Sequence, residues 1–399
     1  MASLNKHSAI VVGAGIGGLA AALALAREGQ TVDLLEQSSE IGEIGAGLQL
    51  APNAFAALDA LGVGAAVRGA SVFTDELVMM DAIDGATVGA FPVGEAFRQR
   101  FGNPYAVVHR ADLHTAILES VRREPGIRLH TSARATAFDL SGAAASVTTA
   151  DGRRFSAAAV IGADGVRSAL REQLIGDAAR VSGHVVYRAV VPYERMPADL
   201  RINAPVLWAG PNCHLVHYPL RSGHQYNLVV TFHSREQEQW GVTDGSRAEV
   251  LSYFQGIHPR PRQLLECPDS WRRWATADRE PVAKWGGDNA TLLGDAAHPM
   301  MQYLAQGACA ALEDAVTLGE ALRACDRDWQ AAIALYERSR ITRTARIVLS
   351  VREMGRLYHA QGVERLVRNA LWEGRTPAQF YEALAWLYDW TPAKSLAGR

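Results

Sequence analysis

A short glycine-rich motif near the N-terminus constrains the fold of this 399-residue chain more than any other feature. The motif Gly13-Ala-Gly15-Ile-Gly-Gly18 follows an apolar run, Ala9–Val12, that predicts a buried strand, and it precedes a helix predicted over Leu19–Arg27. In this context Gly13 permits a tight turn, Gly15 lets the backbone approach a pyrophosphate, and Gly18 lets helix and strand pack closely. The helix N-terminus then directs its positive dipole end at the phosphates. The motif therefore predicts a dinucleotide-binding unit.

The acid that ends the next predicted strand, Thr31–Glu36, narrows the choice of dinucleotide. A carboxylate at Glu36 can accept a hydrogen bond from an adenosine ribose hydroxyl and would repel a 2′-phosphate, so the site suits FAD or NAD rather than NADP. The glycine motif occurs once in the chain. Either the ligand is NAD and the protein is a plain dehydrogenase, or it is FAD and a nicotinamide binds transiently elsewhere.

Two later turns place an acid at the end of a predicted buried strand and favour FAD. Asp164 and Gly165 follow one such strand, and Gly294 and Asp295 follow another, before a helix predicted near Gly307–Leu322. The carboxylate of Asp295 can accept hydrogen bonds from the polyol linker of FAD, which NAD lacks, and the turn of Asp164 would lie near a pyrophosphate. The alternative is that each acid only caps the helix that follows it.

The order of the predicted elements indicates a discontinuous architecture. Short strand-like pieces broken by Pro, Gly and Asn, in Val72–Val88 and Val185–Phe232, predict an antiparallel sheet. From Asp328 onward the pattern is helical and aromatic, typical of core packing or a dimer face. The expected fold is α/β, with a Rossmann-like FAD-binding domain formed by 1–72, 100–180 and 281–325, an inserted antiparallel-sheet substrate domain formed by 73–99 and 181–280, and a C-terminal helical region, 326–399.

Composition excludes several classes of partner. With 48% hydrophobic and 21% charged residues, a net charge of −2 and no basic run, the chain resembles a soluble globular enzyme and offers nucleic acid no electrostatic footprint. The four cysteines are scattered without metal-ligand spacing, which favours a reducing compartment. Glycines interrupt the apolar stretch Ser8–Ala26, unlike a signal peptide. We expect a cytoplasmic protein without a metal, membrane or nucleic-acid partner.

Together the motifs resemble those of the single-component (class A) flavoprotein aromatic hydroxylases over essentially the whole chain. The family's three fingerprints match in order, at 13–18, 164–165 and 294–295. Its Arg-x-Asp-Leu motif matches at Arg110-Ala-Asp-Leu113, where the resemblance places the arginine near the FAD phosphates. The resemblance implies a fold like that of p-hydroxybenzoate hydroxylase, non-covalent FAD and no separate nicotinamide domain.

Within that family the sequence is most similar to the 3-hydroxybenzoate 6-hydroxylases. The resemblance is carried by Gly45-Ala-Gly-Leu-Gln49, by Cys213-His-Leu-Val-His-Tyr-Pro-Leu-Arg221 and by His298-Pro-Met-Met-Gln-Tyr-Leu-Ala-Gln-Gly307. Gln302 is the most telling residue, because many relatives, including salicylate 1-hydroxylases, have proline there. The resemblance implies that substrate is handled by Tyr105, His214, Tyr218 and Gln302.

Strand periodicity supports these roles. Residues at i, i+2 and i+4 share a face, so His214, Val216 and Tyr218 are predicted to point the same way. There His214 can accept a phenolic proton, Tyr218 can hydrogen-bond the phenolic oxygen, and Gln302 can hold substrate without transferring a proton itself. The alternative is a structural His–Tyr pair. Gly307, at a helix start, would direct N–H groups at the flavin and stabilise its anionic reduced form, or would only pack closely.

The resemblance implies conversion of 3-hydroxybenzoate, NADH and O2 into 2,5-dihydroxybenzoate (gentisate) through a flavin C4a-hydroperoxide. Tyr105 and Arg188 are the groups considered for the substrate carboxylate. Because Met300, Met301 and Gln306 differ from those of some relatives, salicylate 1-hydroxylase and 6-hydroxynicotinate 3-monooxygenase remain alternatives. A dehydrogenase without oxygen chemistry and a non-catalytic dinucleotide sensor are alternatives of other classes. NADPH in place of NADH stays open, and the expected assembly is a homodimer.

Overall fold

The computed structural model describes residues 7–42, 46–142 and 144–396. Its strands are β1 (Ser8–Val12), β2 (Thr31–Leu35), β3 (Gly47–Leu50), β4 (Ser71–Phe73), β5 (Glu76–Asp81), β6 (Thr87–Pro92), β7 (Ala106–His109), β8 (Ile127–His130), β9 (Ala135–Asp139), β10 (Ala145–Thr149), β11 (Arg154–Ala157), β12 (Ala159–Gly162), β13 (Arg180–Pro192), β14 (Val206–Gly210), β15 (Cys213–Leu220), β16 (Gln225–His233), β17 (Gly241–Gly245), β18 (Trp271–Asp278) and β19 (Ala290–Leu292). Its helices are α1 (Ile16–Arg27), α2 (Pro52–Ala60), α3 (Gly64–Ala70), α4 (Glu95–Phe101), α5 (Arg110–Arg123), α6 (Ala169–Leu174), α7 (Arg247–Tyr253), α8 (Pro259–Glu266), α9 (Gly307–Ala324), α10 (Trp329–Tyr358), α11 (Gly362–Trp372) and α12 (Pro377–Tyr388).

A five-stranded parallel sheet carries the three nucleotide motifs. Its order is β19-β12-β1-β2-β8. The central strands are buried along most of their length, because α1 contacts β1 and β2 while β11 contacts β1 and β10 contacts β12. The carboxyl ends of parallel strands meet at one edge, so the glycine motif after β1, Glu36 after β2, Asp164 after β12 and Asp295 after β19 all emerge there. The parallel order thus assembles motifs that are far apart in sequence.

An eight-stranded sheet follows the order β17-β18-β13-β16-β15-β14-β5-β6. One of its faces packs on an apolar core that includes Trp208, Leu215, Phe232 and Phe254. The sheet is antiparallel except where β14 pairs with β5 in parallel, so the prediction of a wholly antiparallel sheet is wrong at that junction. The two strands meet there from segments distant in sequence, without a hairpin to force an antiparallel pair.

One predicted strand piece lies elsewhere. Val72 and Phe73, expected with the rest of 72–88, belong to β4, which pairs with β7 in a small sheet of order β3-β7-β4. The reason is that β7 is buried over Ala106–Val108 and its backbone groups need partners on both edges. A second small sheet has the order β11-β10-β9.

The C-terminal helices close over both sheets. Helix α10 packs along α9, while α12 contacts α4 and β6. Trp329, Tyr336 and Tyr381 are buried in the core, as predicted for most of the aromatic residues of this region. In the described part of the chain we find no helix with the length and apolar character needed to cross a lipid bilayer. The division into domains at the predicted boundaries stays a prediction, and 1–6 and 397–399 lie outside the described residues.

Candidate active site

A cavity of about 1160 Å³ lies where the carboxyl edge of the parallel sheet meets the eight-stranded sheet and the C-terminal helices. Its volume exceeds that of an ordinary single-ligand pocket and accommodates a cofactor together with a small substrate. The residues that line the cavity include Gly15, Tyr105, Arg110, Arg188, His214, Tyr218, Asp295, Gln302 and Gly307. Gly13, Gly18, Glu36 and Asp164 are not among the described residues that line it.

The glycine turn fits a pyrophosphate. Gly13 has φ +102°, and a Cβ there would lie 2.4 Å from the carbonyl oxygen of Ala163. A Cβ on Gly18 would lie 1.8 Å from the carbonyl oxygen of Gly13, so α1 can approach β1 only because residue 18 is glycine. At Gly15, by contrast, no atom of the described chain lies within 4 Å of the point that a Cβ would occupy. The backbone is therefore open at Gly15, where a phosphate would approach α1.

Glu36 is fixed beside that turn. Its carboxylate accepts hydrogen bonds from the backbone N–H of Ala14 at 2.8 Å and from that of Ser38 at 2.9 Å. A carboxylate has about four acceptor positions, so two remain for ribose hydroxyls. The arrangement fits the adenosine end of FAD without requiring Glu36 to move.

The two carboxylate oxygens of Asp164 have different surroundings. One carboxylate oxygen accepts a hydrogen bond from the Ala169 N–H at the start of α6, at 2.8 Å, as the capping interpretation predicts. The other oxygen is buried and has no hydrogen-bond partner within the described part of the chain. Burial raises the pKa of this carboxyl group. A buried acceptor without a partner is costly, so a ligand hydroxyl or water supplied from the adjacent cavity would relieve it.

The turn of Asp295 is anchored from below by a buried ionic network. Asp314 on α9 accepts hydrogen bonds from the backbone N–H of Gly294 at 3.0 Å, from His298 Nε2 at 2.6 Å and from Arg340 Nε at 2.6 Å. Burial alone would raise the pKa of Asp314, but His298 and Arg340 lower it to about 2. The network fixes the turn of Gly294 and Asp295 against α9, whose first residue is Gly307. The two segments predicted to contact the cofactor are thereby held in one geometry.

The inner face of β15 carries the predicted substrate residues. His214, Val216 and Tyr218 line the cavity, whereas Cys213 and Leu215 pack into the core on the opposite side. The alternation follows from the period of two along a strand. It directs the imidazole of His214 and the phenol of Tyr218 into the same cavity.

Tyr218 packs against Gly47, which belongs to the motif Gly45–Gln49. Gly45 itself lies outside the described residues. The backbone N–H of Gly47 donates to Asn227 Oδ1 at 2.9 Å, and Asn227 is the cross-strand neighbour of Tyr218. A Cβ on Gly47 would lie 2.4 Å from Cε2 of Tyr218. The phenol is 2% exposed, and burial raises its pKa, so it stays protonated and can donate.

Gln302 and Tyr105 reach the same cavity. Gln302 Nε2 donates to the hydroxyl of Thr231 at 3.0 Å, and Thr231 lies directly across from His214 in the sheet. The Tyr105 hydroxyl donates to Gln49 Oε1 at 2.6 Å. The structure therefore brings together all four side chains that the sequence associates with substrate.

His214 has a partner that sequence analysis missed. Its Nδ1 lies 2.8 Å from Nε2 of His359, 145 residues further along the chain. His214 is 2% exposed, and burial together with the nearby His184 lowers its pKa to about 3. The imidazole is therefore neutral and able to accept a proton. Nothing in the sequence around His359, which ends α10, marks it for this position.

The C-terminal helices also line the cavity, which the aromatic pattern alone did not predict. The aromatic residues of this region in the lining are Tyr358, Trp372, Phe380, Trp386 and Tyr388, and the same region also contributes Arg352, Glu353 and Arg375. Aromatic rings at these positions exclude water and lower the local dielectric constant. The residues from 326 onward therefore form one wall of the site.

The opposite face of β15 carries a pH-sensitive group. His217 is fully buried, both ring nitrogens are without a partner in the described chain, and burial and the nearby Arg260 lower its pKa to about 3. Below pH 6.5 the unfolded chain binds a proton here that the native state does not, so native stability falls as pH falls from 6.5 toward 3.

We therefore expect His217→Leu to reduce the acid sensitivity of the fold. At pH 5 the native protein loses about 2 kcal/mol through this one group, and the substitution removes that loss. Denaturant unfolding of the holoenzyme at pH 7 and pH 5 measures the difference. His224→Leu, an exposed histidine, is the control. Equal pH dependence in His217→Leu and the parent protein would contradict the expectation.

Comparison with known proteins agrees with this geometry. The family model described as FAD binding domain matches residues 6–350. The chain is 62% identical to the 3-hydroxybenzoate 6-hydroxylase of Polaromonas naphthalenivorans (strain CJ2), over 97% of each chain. It is 62% identical to that of Klebsiella oxytoca, over 98% of each. Among solved structures, Klebsiella pneumoniae HpxO complexed with FAD and uric acid is similar, with a TM-score of 0.84 and 26% identity over 99% of this chain and 97% of that one. The chain therefore belongs to the FAD-binding family of flavoprotein aromatic hydroxylases and is an FAD-dependent monooxygenase.

Proposed function

We propose that this protein hydroxylates 3-hydroxybenzoate at the carbon para to its hydroxyl group. In the balanced reaction 3-hydroxybenzoate, NADH, H⁺ and O2 give 2,5-dihydroxybenzoate, NAD⁺ and water. The observation that carries the proposal is the cavity in which a neutral, buried His214 and Tyr218 lie beside the edge that fits FAD. The names of the relatives at 62% identity support the same substrate.

The bound cofactor supplies an electrophilic oxygen atom, and the protein must make the ring electron-rich enough to accept it. A phenol has a pKa of about 10, so only ~0.1% is ionised near pH 7, a gap worth about 4 kcal/mol. His214 is positioned to accept the phenolic proton, and the gap closes when that proton moves on to solvent, because burial disfavours a lasting charge on His214. Tyr218, which stays protonated, donates a hydrogen bond to the resulting oxyanion. The phenolate activates its ortho and para carbons, and the para carbon is C6 of 3-hydroxybenzoate.

Arg188 is our assignment for the substrate carboxylate. It pairs across the sheet with Val229, which in turn pairs with Val216, so its side chain belongs to the cavity face. Burial lowers the pKa of Arg188, but a guanidinium remains charged in a protein. A bound carboxylate offsets the cost of burying that charge. Tyr105 lines the same cavity and offers a hydroxyl group.

Parallel assays distinguish the proposed substrate from its alternatives. NADH oxidation is followed with 3-hydroxybenzoate, salicylate and 6-hydroxynicotinate, and products are separated by chromatography. We expect 2,5-dihydroxybenzoate from the first acid and little stimulation by the others. Turnover of only salicylate or 6-hydroxynicotinate would overturn the substrate, and equal rates with NADPH would overturn the preference for NADH.

Gly47→Ala tests the placement of Tyr218. The new methyl group would overlap the phenol ring, which must then shift. Because a displacement of about 1 Å at a reacting group costs about 10²-fold in rate, we expect a loss of that size in kcat with full FAD content. Gly69→Ala is the control, since no described atom lies within 4 Å of its Cβ position. An unchanged kcat in Gly47→Ala would show that the ring position is not needed.

The predicted homodimer is supported by one surface of α11. Val363, Leu366, Val367 and Leu371 share a face at helical spacing and are 74%, 61%, 52% and 50% exposed. An apolar stripe of this kind is self-complementary about a two-fold axis. We expect twice the 43.1 kDa chain mass by light scattering, and the single-chain mass for Leu366→Glu. Val242→Glu, exposed on β17, is the control; a monomeric parent protein would contradict the assignment. The cytoplasmic location stays a prediction.

A further inference from the structure

Four histidines form a continuous cluster from the cavity wall to the surface. Beyond the hydrogen bond between His214 and His359, the His359 ring stacks on His184 with centroids 5.4 Å apart and an interplanar angle of 22°. His184 meets His233 at 5.1 Å, its cross-strand neighbour. His214 is buried, His359 and His184 are half-buried, and His233 is exposed. Exposure thus increases from His214 at the cavity to His233 at the surface.

The proposed reaction needs an outlet for the phenolic proton. His214 accepts a proton inside a cavity closed by aromatic side chains, where burial lowers its pKa to about 3 and disfavours a lasting positive charge. Burial also lowers the pKa of His184, to about 4, and holds that of His359 well below its usual value. A lasting positive charge is therefore disfavoured on each of these three rings, and the proton must leave toward solvent.

The ring nitrogens of His214 and His359 define the direction of transfer. When His214 Nδ1 donates to His359 Nε2, the Nε2 atom of His214 is a free acceptor toward the substrate. The phenolic O–H bond then breaks as an N–H bond forms at Nε2. In the same event the proton of Nδ1 passes to His359 Nε2, and His359 Nδ1 releases its own proton outward. No electrons are exchanged, and the hydrogen bond reverses its polarity.

We propose that His359 is a positioning and proton-relay residue that sets the tautomer of His214 and takes from its Nδ1 the proton displaced when the phenolic proton arrives at Nε2. The inference rests on the proposed function. It gives the C-terminal region a role in the chemistry, since His359 follows α10 directly.

Other titratable groups face this cluster. The Tyr303 hydroxyl lies 2.5 Å from His184 Nδ1, and the Tyr303 ring lies 5.4 Å from that of His214. The Tyr358 ring lies 5.7 Å from His214. Burial raises the pKa of both phenols, so they stay neutral. Asp278 is the nearby carboxylate that favours protonation of His184, and it also binds Arg180 and Arg352.

Proton release on substrate binding tests the relay in the oxidised holoenzyme. In weakly buffered solution, stopped-flow mixing with 3-hydroxybenzoate and a pH indicator follows the proton, while the flavin spectrum follows binding. The variants are His359→Phe, which removes the hydrogen bond, and His359→Gln, whose amide oxygen can still accept from His214 but cannot relay. His224→Gln is the matched surface control.

We expect proton release to slow by about 10-fold or more in both His359 variants, with substrate dissociation constants nearly unchanged and partial recovery on adding imidazole. Release at the parental rate in His359→Gln would overturn the relay, as would an equal slowing in His224→Gln. If 3-hydroxybenzoate leaves the flavin spectrum of the parent protein unchanged, the proposed function fails by itself. The relay fails separately when substrate binds normally and release is fast in the variants.

Discussion

His214→Asn is expected to lower kcat for the hydroxylation of 3-hydroxybenzoate by about 10²- to 10⁴-fold, the usual contribution of a positioned general base. The substitution removes the neutral acceptor that faces the cavity while FAD binding, which depends on the parallel-sheet edge, is unaffected. Substrate then remains a phenol, and its ring is a poor acceptor of electrophilic oxygen.

Product yield and NADH oxidation should be measured separately. We expect NADH to be consumed in His214→Asn with little dihydroxybenzoate formed. His217→Leu is the matched control, because it changes a histidine on the same strand whose side chain lies on the opposite face. Hydroxylation by His214→Asn at a rate close to that of His217→Leu would show that another group accepts the proton.

Arg340→Met is expected to destabilise the fold by about 3–5 kcal/mol, the cost of leaving buried charge without its partner. Arg340 donates to Asp314 Oδ1 at 2.6 Å and to Glu313 Oε2 at 2.6 Å, and both acids are fully buried. Arg343 continues to bind Glu313, but among the described residues Asp314 keeps only the hydrogen bonds from His298 and the Gly294 N–H. Because Asp314 also holds the turn at Gly294, FAD should be released at a lower temperature.

Unfolding by denaturant and flavin release on heating measure these two effects. Arg338→Met is the control, since Arg338 is exposed on the same helix and its loss should change stability by less than about 0.5 kcal/mol. Equal unfolding free energies for Arg340→Met and Arg338→Met would contradict the importance of the network.

Local sequence patterns predicted the features that depend on near neighbours in the chain. The glycine motif after β1 and the orientation of His214 and Tyr218 follow from rules that act over a few residues. The expected α/β fold and FAD as cofactor are confirmed by the family match and by the solved relatives. The catalytic and binding roles of the individual residues stay predictions.

Features that depend on contacts between distant segments were not predictable. The parallel pairing of β14 with β5 and the transfer of Val72 to the sheet of β7 are decided by which strand edges meet in the folded chain. His359 reaches His214 only because α10 ends against the eight-stranded sheet, and no periodicity encodes that meeting. For Asp164 the sequence allowed two interpretations, a helix cap and a cofactor contact. One carboxylate oxygen caps α6, and the other has no partner in the described chain and remains available to a ligand.

The most direct test of this account is the fate of molecular oxygen. Holoenzyme is incubated with 3-hydroxybenzoate and NADH under oxygen-18 gas, and the product is examined by mass spectrometry. We expect 2,5-dihydroxybenzoate with one labelled atom, in the hydroxyl group para to the original one, and an intact carboxyl group. An unlabelled product, a label ortho to the original hydroxyl, or loss of the carboxyl group would contradict it.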